Sequence, residues 1–280
     1  MPSLRYVVCD VFTDTPLTGN QLAVFTDATE LDDERMQLLA REMNFAETVF
    51  VLRPEEGGHV RIRIFTPSLE LPFAGHPVLG SAVVLGGPLQ LVEILLETGS
   101  GIVPVQLERE GARIVFARMS QPIPAWRPYD RSDELLAALA VERSELPIEV
   151  YELGPTHVFV ALASEEDVAS LAPDMGALAD HPAGINCFAG DGARWKTRVF
   201  LPSAGIPEDP ATGSGAGPLA IHLARHGRIS FGDEIEISQG VEIHRPSTLY
   251  ARAEGSGDRV DAVEVGGSAV IVARGEFRLP

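Results

Sequence analysis

The stretch Pro207–Ala220, PEDPATGSGAGPLA, joins an acidic pair to a turn of small residues and then to an apolar helix. Glu208 and Asp209 lead through Pro210 into the turn, and the helical segment runs from about Pro218 to Arg225. Glycines in such a turn leave backbone N–H groups free at the helix N-terminus, where the helix dipole also favours negative charge. The stretch therefore indicates a site for a carboxylate or a phosphate, although an ordinary strand–loop–helix connection has the same pattern.

The chain contains this arrangement twice. Arg63–Ser68 (RIFTPS) and Arg198–Ser203 (RVFLPS) share the pattern Arg-apolar-Phe-x-Pro-Ser, and an acidic loop, a turn and an apolar helix follow each of them. Glu70 precedes the first turn, as Glu208 precedes the second. The repeat predicts two similar α/β domains related by a pseudo-twofold axis, with two donor-rich helix N-termini facing one small anion in a cleft.

Composition limits the partners that the chain can have. Its 280 residues include 40 acidic and 22 basic side chains, which gives a formal net charge of -18. This charge repels phosphate backbones and anionic lipids, so we expect no nucleic-acid partner and no membrane association. Lys196 is the single lysine and lies in an apparent strand. The chain therefore has no Walker A motif, and a pyridoxal Schiff base would have no suitably placed lysine.

Two cysteines, Cys9 and Cys187, lie far apart and lack the spacing of metal ligands. This usage predicts two buried free thiols in a reducing compartment. The chain also shows no signal-peptide pattern and no apolar run long enough to cross a membrane. We therefore expect a cytoplasmic protein.

Hydrophobic periodicity predicts many short strands with a few helices between them. The predicted strands cover about 4–12, 21–25, 45–51, 60–65, three segments within 91–119, then 148–153, 157–162, 184–188, 196–201 and most of 229–280. Five helices are predicted. The first starts near Leu31, and the second follows Gly75-His76-Pro77 and ends near Leu85. The others run from a Ser132 N-cap to Ala140 and over about 165–180 and 218–225. A Pro-rich connector at 122–129 predicts two domains, 1–120 and 121–267, and the last strand, about 268–280, could complete the first.

Three side chains are candidates for proton transfer. Glu47 lies in the apolar run FAETVFV, where burial would raise its pKa toward the range useful for acid/base work, whereas an outward-facing strand position would leave it in water. His76 lies beside a helix start, where a neutral imidazole could relay a proton, although lone histidines are often structural. Asp209 could be a second acid or base, or a carboxylate held by the helix dipole.

Other patterns are weaker. His222 and His226 have the i,i+4 spacing of a metal pair, but HLARH lacks the glutamate of HExxH, so we expect no metal. Ser214 is not in a nucleophile elbow, and as a nucleophile it has no evident His and Asp partners in the sequence. No G-x-G-x-x-G motif follows the first strand, which disfavours a nicotinamide cofactor.

Four ordered segments resemble the phenazine-biosynthesis isomerase family (PhzF-like), which is itself related to diaminopimelate epimerase. They are DVFTDTPLTGNQLAVF (10–25), NFAETVFV (44–51), ELPFAGHPVLGSA (70–82) and EDPATGSGAGPLA (208–220). The resemblance runs along the whole chain. It is highly specific for the family and much less specific for the substrate.

The resemblance implies an α+β fold of two pseudo-symmetric diaminopimelate epimerase-like α/β domains, each a curved sheet around a central helix, with the active site between them. It also implies proton transfer without a cofactor. Glu47 would be the base that removes a proton and returns it elsewhere on the substrate, and His76 and Asp209 would assist it. The amides near Gly75 and Gly213 would bind the substrate carboxylate together with Thr212 and Ser214.

The chain departs from its relatives at the two turns. The related epimerases transfer protons with a cysteine at each turn, but here both turns lack cysteine, which excludes a two-thiol racemisation. Ala46 stands where the family often has serine, and Gly215-Ala216 replaces a more usual alanine-asparagine pair. Both changes are expected to alter the pocket.

The resemblance implies an isomerase that shifts a proton on a small, carboxylate-bearing, cyclic substrate such as trans-2,3-dihydro-3-hydroxyanthranilate, in secondary metabolism. The alternatives are a related proton-transfer enzyme acting on another amino-acid-like metabolite, and a binding protein that has kept the fold. The family also implies a homodimer. Glu47, His76 and Asp209 together favour an enzyme, since a binding role alone would not need all three.

Overall fold

The computed structural model describes residues 3–278, which divide into two compact units. The first comprises the described residues up to Ser120 together with those from Gly266 onward, and the second comprises Gln121–Val265. The elements of the first unit are β1 (Ser3–Val11), β2 (Asn20–Phe25), α1 (Asp33–Met43), β3 (Glu47–Leu52), β4 (Val60–Phe65), β5 (Glu70–Leu71), α2 (Gly75–Leu89), β6 (Glu93–Thr98), β7 (Gly101–Glu110) and β8 (Arg113–Ser120).

The second unit contains most of the remaining elements. They are β9 (Ala125–Pro128), α3 (Ser132–Leu139), β10 (Glu149–Glu152), β11 (Thr156–Ala161), α4 (Glu165–Ser170), α5 (Met175–Leu178), β12 (Gly184–Asp191), β13 (Arg194–Leu201), β14 (Ile206–Asp209), α6 (Gly213–Arg225), β15 (Glu234–Gln239), β16 (Ser247–Ser256) and β17 (Arg259–Gly267). The last strand, β18 (Ala269–Arg278), pairs with β1 and so belongs to the sheet of the first unit.

The strands of the two units repeat one order of pairings. In the first unit, β1–β2 is antiparallel, β2–β3 parallel, β3–β4 antiparallel, β4–β6 parallel and β6–β7 antiparallel. In the second unit, β10–β11, β11–β12, β12–β13, β13–β15 and β15–β16 follow the same alternation. Each parallel pair is joined by a crossover that contains helix, as parallel strands require. The duplication inferred from six residues therefore extends through a whole supersecondary unit.

Each unit has one long helix that is buried almost throughout. Helix α2 packs against β1, β2, β3, β6, β7 and β8, and α6 packs against β11, β15 and β16. Eleven residues of each helix are buried. A helix that is apolar on all sides has no face for water, so it must lie inside the curve of a sheet. This explains why both helices are rich in small residues, which let strands approach closely.

The repeated Arg-apolar-Phe motif has the same contacts in each unit. The guanidinium of Arg63 lies 5.1 Å from the ring centre of Phe65 and makes two hydrogen bonds, of 2.7 and 2.6 Å, to the carboxylate of Glu70. Arg198 lies 5.0 Å from the ring centre of Phe200 and makes two bonds, of 2.9 and 2.8 Å, to Glu208. A bidentate arginine–carboxylate pair restricts the orientation of both side chains and also neutralises their charges. In each unit it ties the strand before the turn to the acidic segment that leads into the helix.

Several sequence-based predictions need correction. Arg131, and not Ser132, is the N-cap residue of α3, because the Ser132 hydroxyl donates to the carbonyl of Tyr129. The predicted helix at 165–180 is two short helices, each with its own side-chain cap, from Ser164 and from Asp174. The predicted connector at 122–129 contains a strand, β9. Helix α6 begins at Gly213, five residues before the predicted Pro218, because small residues are compatible with a buried first turn.

The prediction of two free thiols is confirmed, since Cys9 and Cys187 are buried and unpaired. Cys9 lies in β1 and Cys187 in β12, so neither thiol belongs to a turn at the start of α2 or α6. Burial raises the pKa of the Cys187 thiol to about 12 and also raises that of Cys9, which keeps both thiols protonated. Within residues 3–278, no helix is long and apolar enough to cross a membrane.

Candidate active site

In the first unit, Glu47 and His76 lie together at the start of β3 and of α2. Oε2 of Glu47 is 3.4 Å from Nε2 of His76, and their side chains are 14% and 5% exposed. The strand alternation had left open an outward-facing Glu47, but the side chain is largely buried. A separation of 3.4 Å exceeds an ordinary hydrogen bond, and catalytic pairs often tighten only when substrate binds.

The imidazole of His76 is held neutral. Burial lowers its pKa to about 3, and a hydrogen bond to the backbone of Gln21 only partly opposes this. Its Nδ1 lies 3.2 Å from the side-chain nitrogen of Asn20. The contact with Glu47 is therefore not an ion pair near neutral pH, and a neutral ring can accept or donate a proton at Nε2 according to its tautomer. Asn20, which no sequence pattern singled out, contacts the other edge of the ring.

The first turns of α2 and α6 lack side-chain caps. The N-cap residues are Ala74 and Thr212, and neither side chain bonds to the helix backbone. By contrast, Asp32, Ser164 and Asp174 cap α1, α4 and α5 with side-chain oxygens. The first turn of a helix has N–H groups with no intrahelical acceptor. In general such N–H groups bind oxyanions; in this chain they are at Gly75 in the first unit and, separately, at Gly213 and Ser214 in the second.

In the second unit, Asp209 and Thr212 form one hydrogen-bonded turn. The Thr212 hydroxyl donates to Oδ2 of Asp209 over 2.5 Å, which explains why it does not cap α6. Gln239, at the end of β15, locks the turn: its amide donates to the carbonyl of Asp209 (2.8 Å) and to the hydroxyl of Thr212 (2.9 Å), and its Oε1 accepts from the Thr212 N–H (3.1 Å). Gln239 is 2% exposed and 27 residues from Thr212, so no local pattern revealed it.

Ser214, the second residue of α6, does have a histidine partner. Its Oγ lies 2.9 Å from Nε2 of His157 in β11. Nδ1 of the same ring lies 3.3 Å from the side-chain nitrogen of Asn186 in β12. No sequence pattern revealed this partner, because the histidine is 57 residues away and meets Ser214 through the packing of α6 against β11.

The histidine pair of α6 meets a carboxylate, Glu149 of β10. Nδ1 of His222 and Nε2 of His226 both lie 3.2 Å from Oε2 of Glu149, and the three residues could hold a metal ion. The same oxygen accepts hydrogen bonds from Arg225 (2.6 Å) and Tyr151 (3.0 Å). Burial alone would raise the pKa of Glu149, but hydrogen bonds from the two histidines, Arg225 and Tyr151 outweigh it and hold that pKa well below its usual value. The guanidinium of Arg225 already neutralises the Glu149 carboxylate, whose negative charge would otherwise attract a cation. The expectation of no metal therefore stays our prediction.

Comparison with known proteins agrees with this architecture. The family model described as "Phenazine biosynthesis-like protein" matches residues 9–275. The chain belongs to this family. A trans-2,3-dihydro-3-hydroxyanthranilate isomerase of Pseudomonas aeruginosa is 56% identical over 276 residues, which cover 98% of this chain and 99% of that protein. The resemblance inferred from four sequence segments is therefore confirmed.

Solved structures of the phenazine biosynthesis-like family and of more distant enzymes share the fold. A Bacillus anthracis phenazine biosynthesis protein of the PhzF family superposes with a TM-score of 0.86 at 25% identity, over the whole of both chains. A hydroxyproline epimerase of Agrobacterium vitis has a TM-score of 0.65 at 12% identity, over 98% of this chain and 92% of that one. The second likeness shows the fold alone. Together they confirm the α+β, epimerase-like fold class.

The predicted site residues of this family member fall into two groups. Glu47, Gly75 and His76 lie together in the first unit, and Asp209 and Thr212 lie with Gly213 and Ser214 in the second. Their catalytic and binding roles stay predictions. The structure adds Asn20 to the first group, and Gln239, His157 and Asn186 to the second.

Proposed function

We propose that this protein is a trans-2,3-dihydro-3-hydroxyanthranilate isomerase of phenazine biosynthesis. The observation that supports this most strongly is the 56% identity to the Pseudomonas aeruginosa isomerase along 98% of the chain. Isomerases of the same name from Pseudomonas fluorescens and Pseudomonas chlororaphis are 52% and 53% identical over the same span. All three matches cover 98% of this chain.

The chemistry of this reaction requires a base beside a carbon acid. The substrate has a hydroxyl group on a saturated ring carbon. Removing the proton from that carbon and returning it elsewhere on the conjugated ring leaves an enol, whose tautomer is the ketone. Electrons and atoms balance without a redox partner. We assign the proton transfer to Glu47, because the family resemblance implies that it is the base and because it is largely buried beside a neutral imidazole.

The remaining residues have binding and assisting roles in this proposal. His76, which is neutral and held by Asn20, orients the Glu47 carboxylate and contacts the substrate. The substrate carboxylate accepts hydrogen bonds from backbone N–H groups at the uncapped N-termini of α2 and α6, those of Gly75, Gly213 and Ser214. Asp209 accepts a hydrogen bond from a polar group of the substrate, and Thr212, hydrogen-bonded to Asp209, holds that carboxylate in place.

We also propose a homodimer in the cytoplasm. The cytoplasmic location is supported by two buried thiols that are unpaired. The dimer follows the family resemblance alone. Light scattering of the purified protein tests it, and a mass of one chain, 30.1 kDa, would contradict it.

The function is tested by proton NMR in D2O with trans-2,3-dihydro-3-hydroxyanthranilate. The wild-type protein is expected to consume the substrate signals and to leave deuterium in the product. Glu47→Gln keeps the shape of the side chain but removes the base, so the rate should fall by about 100-fold or more. The matched control is Glu42→Gln, the same change at an exposed position of α1, which should leave the rate unchanged.

Each outcome separates the alternatives. Equal rates for the wild type and Glu47→Gln would remove Glu47 from the mechanism. If folded wild-type protein leaves the substrate unchanged but exchanges protons of another cyclic amino acid, a related proton-transfer enzyme is favoured. Binding of the substrate without any exchange would favour a binding protein.

A further inference from the structure

Ser214, His157 and Asn186 form a buried chain of hydrogen bonds behind the first turn of α6. They are 7%, 1% and 3% exposed. Within residues 3–278, the Ser214 hydroxyl has one hydrogen-bond partner, Nε2 of His157 at 2.9 Å. The arrangement has the outline of a Ser–His–Asp triad, but an amide stands where the acid would be.

The amide of Asn186 can lie only one way round. Its nitrogen is 2.8 Å from the carbonyl oxygen of Gly184 and 3.4 Å from that of Val158. Both carbonyls accept hydrogen bonds and cannot donate, so the NH₂ group must face them. The same NH₂ group faces Nδ1 of His157 at 3.3 Å. An NH₂ group can only donate, so Nδ1 is the acceptor and carries no proton.

The tautomer of His157 then determines what Ser214 can do. Burial lowers the pKa of His157 to about 4, so the ring is neutral near pH 7 and has a single N–H, which must be at Nε2. That N–H donates to Oγ of Ser214. The hydroxyl hydrogen of Ser214 is therefore left to donate to a ligand, and His157 cannot take it up as a general base.

Two glycines make room for this arrangement. A Cβ atom on Gly184 would lie 2.9 Å from Nδ1 of His157, and one on Gly215 would lie 2.7 Å from Oδ1 of Asn186. Both distances are shorter than normal contacts. A side chain at position 215 would therefore displace Asn186 from this arrangement.

We propose that His157 and Asn186 are positioning residues that hold Ser214 as an obligate hydrogen-bond donor to the substrate carboxylate. The inference rests on the proposed function for the identity of the ligand, but the tautomer itself does not depend on it. It assigns Ser214 a binding role and excludes covalent catalysis by this serine. It also predicts that replacing Asn186 with an acid would reverse the direction of these hydrogen bonds. A carboxylate would accept from Nδ1–H of His157, and Nε2 of the same ring would then be a base.

The first experiment reads the tautomer directly in the wild-type protein. A long-range ¹H–¹⁵N NMR spectrum at pH 7, with His157 assigned by comparison with His157→Gln, should show a protonated Nε2 and an unprotonated Nδ1. The opposite pattern would overturn the proposal. This result does not require turnover, so it remains informative if the substrate assignment fails.

The second experiment uses reactivity with diisopropyl fluorophosphate, a probe of activated serines. The wild type should remain unlabelled, Asn186→Asp should acquire a label on Ser214, and Asn186→Asp/Ser214→Ala should lose it. Labelling of wild-type Ser214 would show that His157 is already a base and would contradict the proposal.

The third experiment measures the effect on binding by calorimetry with 3-hydroxyanthranilate, an aromatic carboxylate that lacks the proton to be moved. The Kd should rise about tenfold in Ser214→Ala and in His157→Leu, because a hydrogen bond to a charged group is lost. His157→Gln keeps an N–H donor and should recover most of the affinity. Equal losses in His157→Gln and His157→Leu would indicate a merely structural histidine.

Discussion

Three of the four buried histidines show how strongly burial decides the chemistry of a single residue type. His76, His157 and His222 all have pKa values below the ordinary histidine value, in each case chiefly because burial disfavours the charged ring. Their partners differ: Glu47 for His76, Ser214 for His157, and a carboxylate–arginine cluster for His222. Because all three rings are neutral, their tautomers rather than their charges determine their hydrogen bonds.

Folding stability should fall as the pH drops from about 6.5 toward 4. The pKa is about 3 for folded His76 and about 4 for folded His157, against an ordinary value of 6.5, so below pH 6.5 the unfolded chain binds protons that the folded chain refuses. Urea unfolding at pH 7, 6 and 5 measures this. His76→Asn should reduce the slope of the free energy of unfolding against pH by up to the equivalent of one proton, roughly 1.4 kcal/mol per pH unit.

The control for this experiment is His244→Asn. His244 is exposed and has a positive φ of 59°, a conformation that asparagine tolerates. This change alters the number of histidines without touching a buried one. A slope that is the same in the wild type and in His76→Asn would contradict the prediction.

At the scale of elements, the two central helices combine burial with an open first turn. Helix α2 begins after Ala74 and α6 after Thr212, with no acidic side chain in either first turn. A buried helix end without a cap is costly unless a ligand satisfies it. In the proposed function the uncapped N-termini bind the substrate, whereas the glycines further along each helix allow close packing.

The glycines of α2 offer a matched pair of substitutions. A Cβ atom on Gly80 would lie 2.6 Å from Leu22 and 2.7 Å from Val11, whereas one on Gly87 would meet nothing within 4 Å. Gly80→Ala should therefore lower the free energy of unfolding by about 1–3 kcal/mol through overpacking. Gly87→Ala should raise it by up to about 1 kcal/mol, because alanine is the better helix former. Thermal unfolding of both variants checks the signs, and equal shifts would refute this account of the packing.

At the scale of the whole molecule, the duplicated unit has diverged in burial while keeping its contacts. The Arg198–Glu208 pair of the second unit has side chains that are 10% and 9% exposed. The Arg63–Glu70 pair of the first unit is 17% and 41% exposed, and Arg63 also contacts the exposed Asp33. The same motif is thus a buried ion pair in one unit and a partly solvated one in the other.

This difference predicts unequal costs for the same substitution. Arg198→Met leaves the Glu208 carboxylate buried without its partner and should lower the free energy of unfolding by about 3–5 kcal/mol. Arg63→Met leaves Glu70 partly in water and should cost about 1 kcal/mol or less. Chemical denaturation of the two variants measures both values. A larger loss for Arg63→Met would show that burial does not govern the strength of the motif.

The sequence by itself determined the elements, the repeat and the family. Periodicity located most strands, because alternation and turn residues are local properties. The repeated motif indicated a duplicated unit, and the four segments around Glu47, Gly75-His76 and Asp209–Ser214 identified the family and the candidate catalytic residues.

Only the tertiary structure decided which side chains meet. Gln239 reaches Thr212 across 27 residues, His157 reaches Ser214 across 57, and Glu149 reaches His222 across 73. It also decided that Glu47 is largely buried, which the alternation of its strand had left open. The physical reason is that hydrogen bonding and burial depend on distance in space. All three contacts join a strand to α6 or its N-cap, and this packing leaves no periodic signal in the chain.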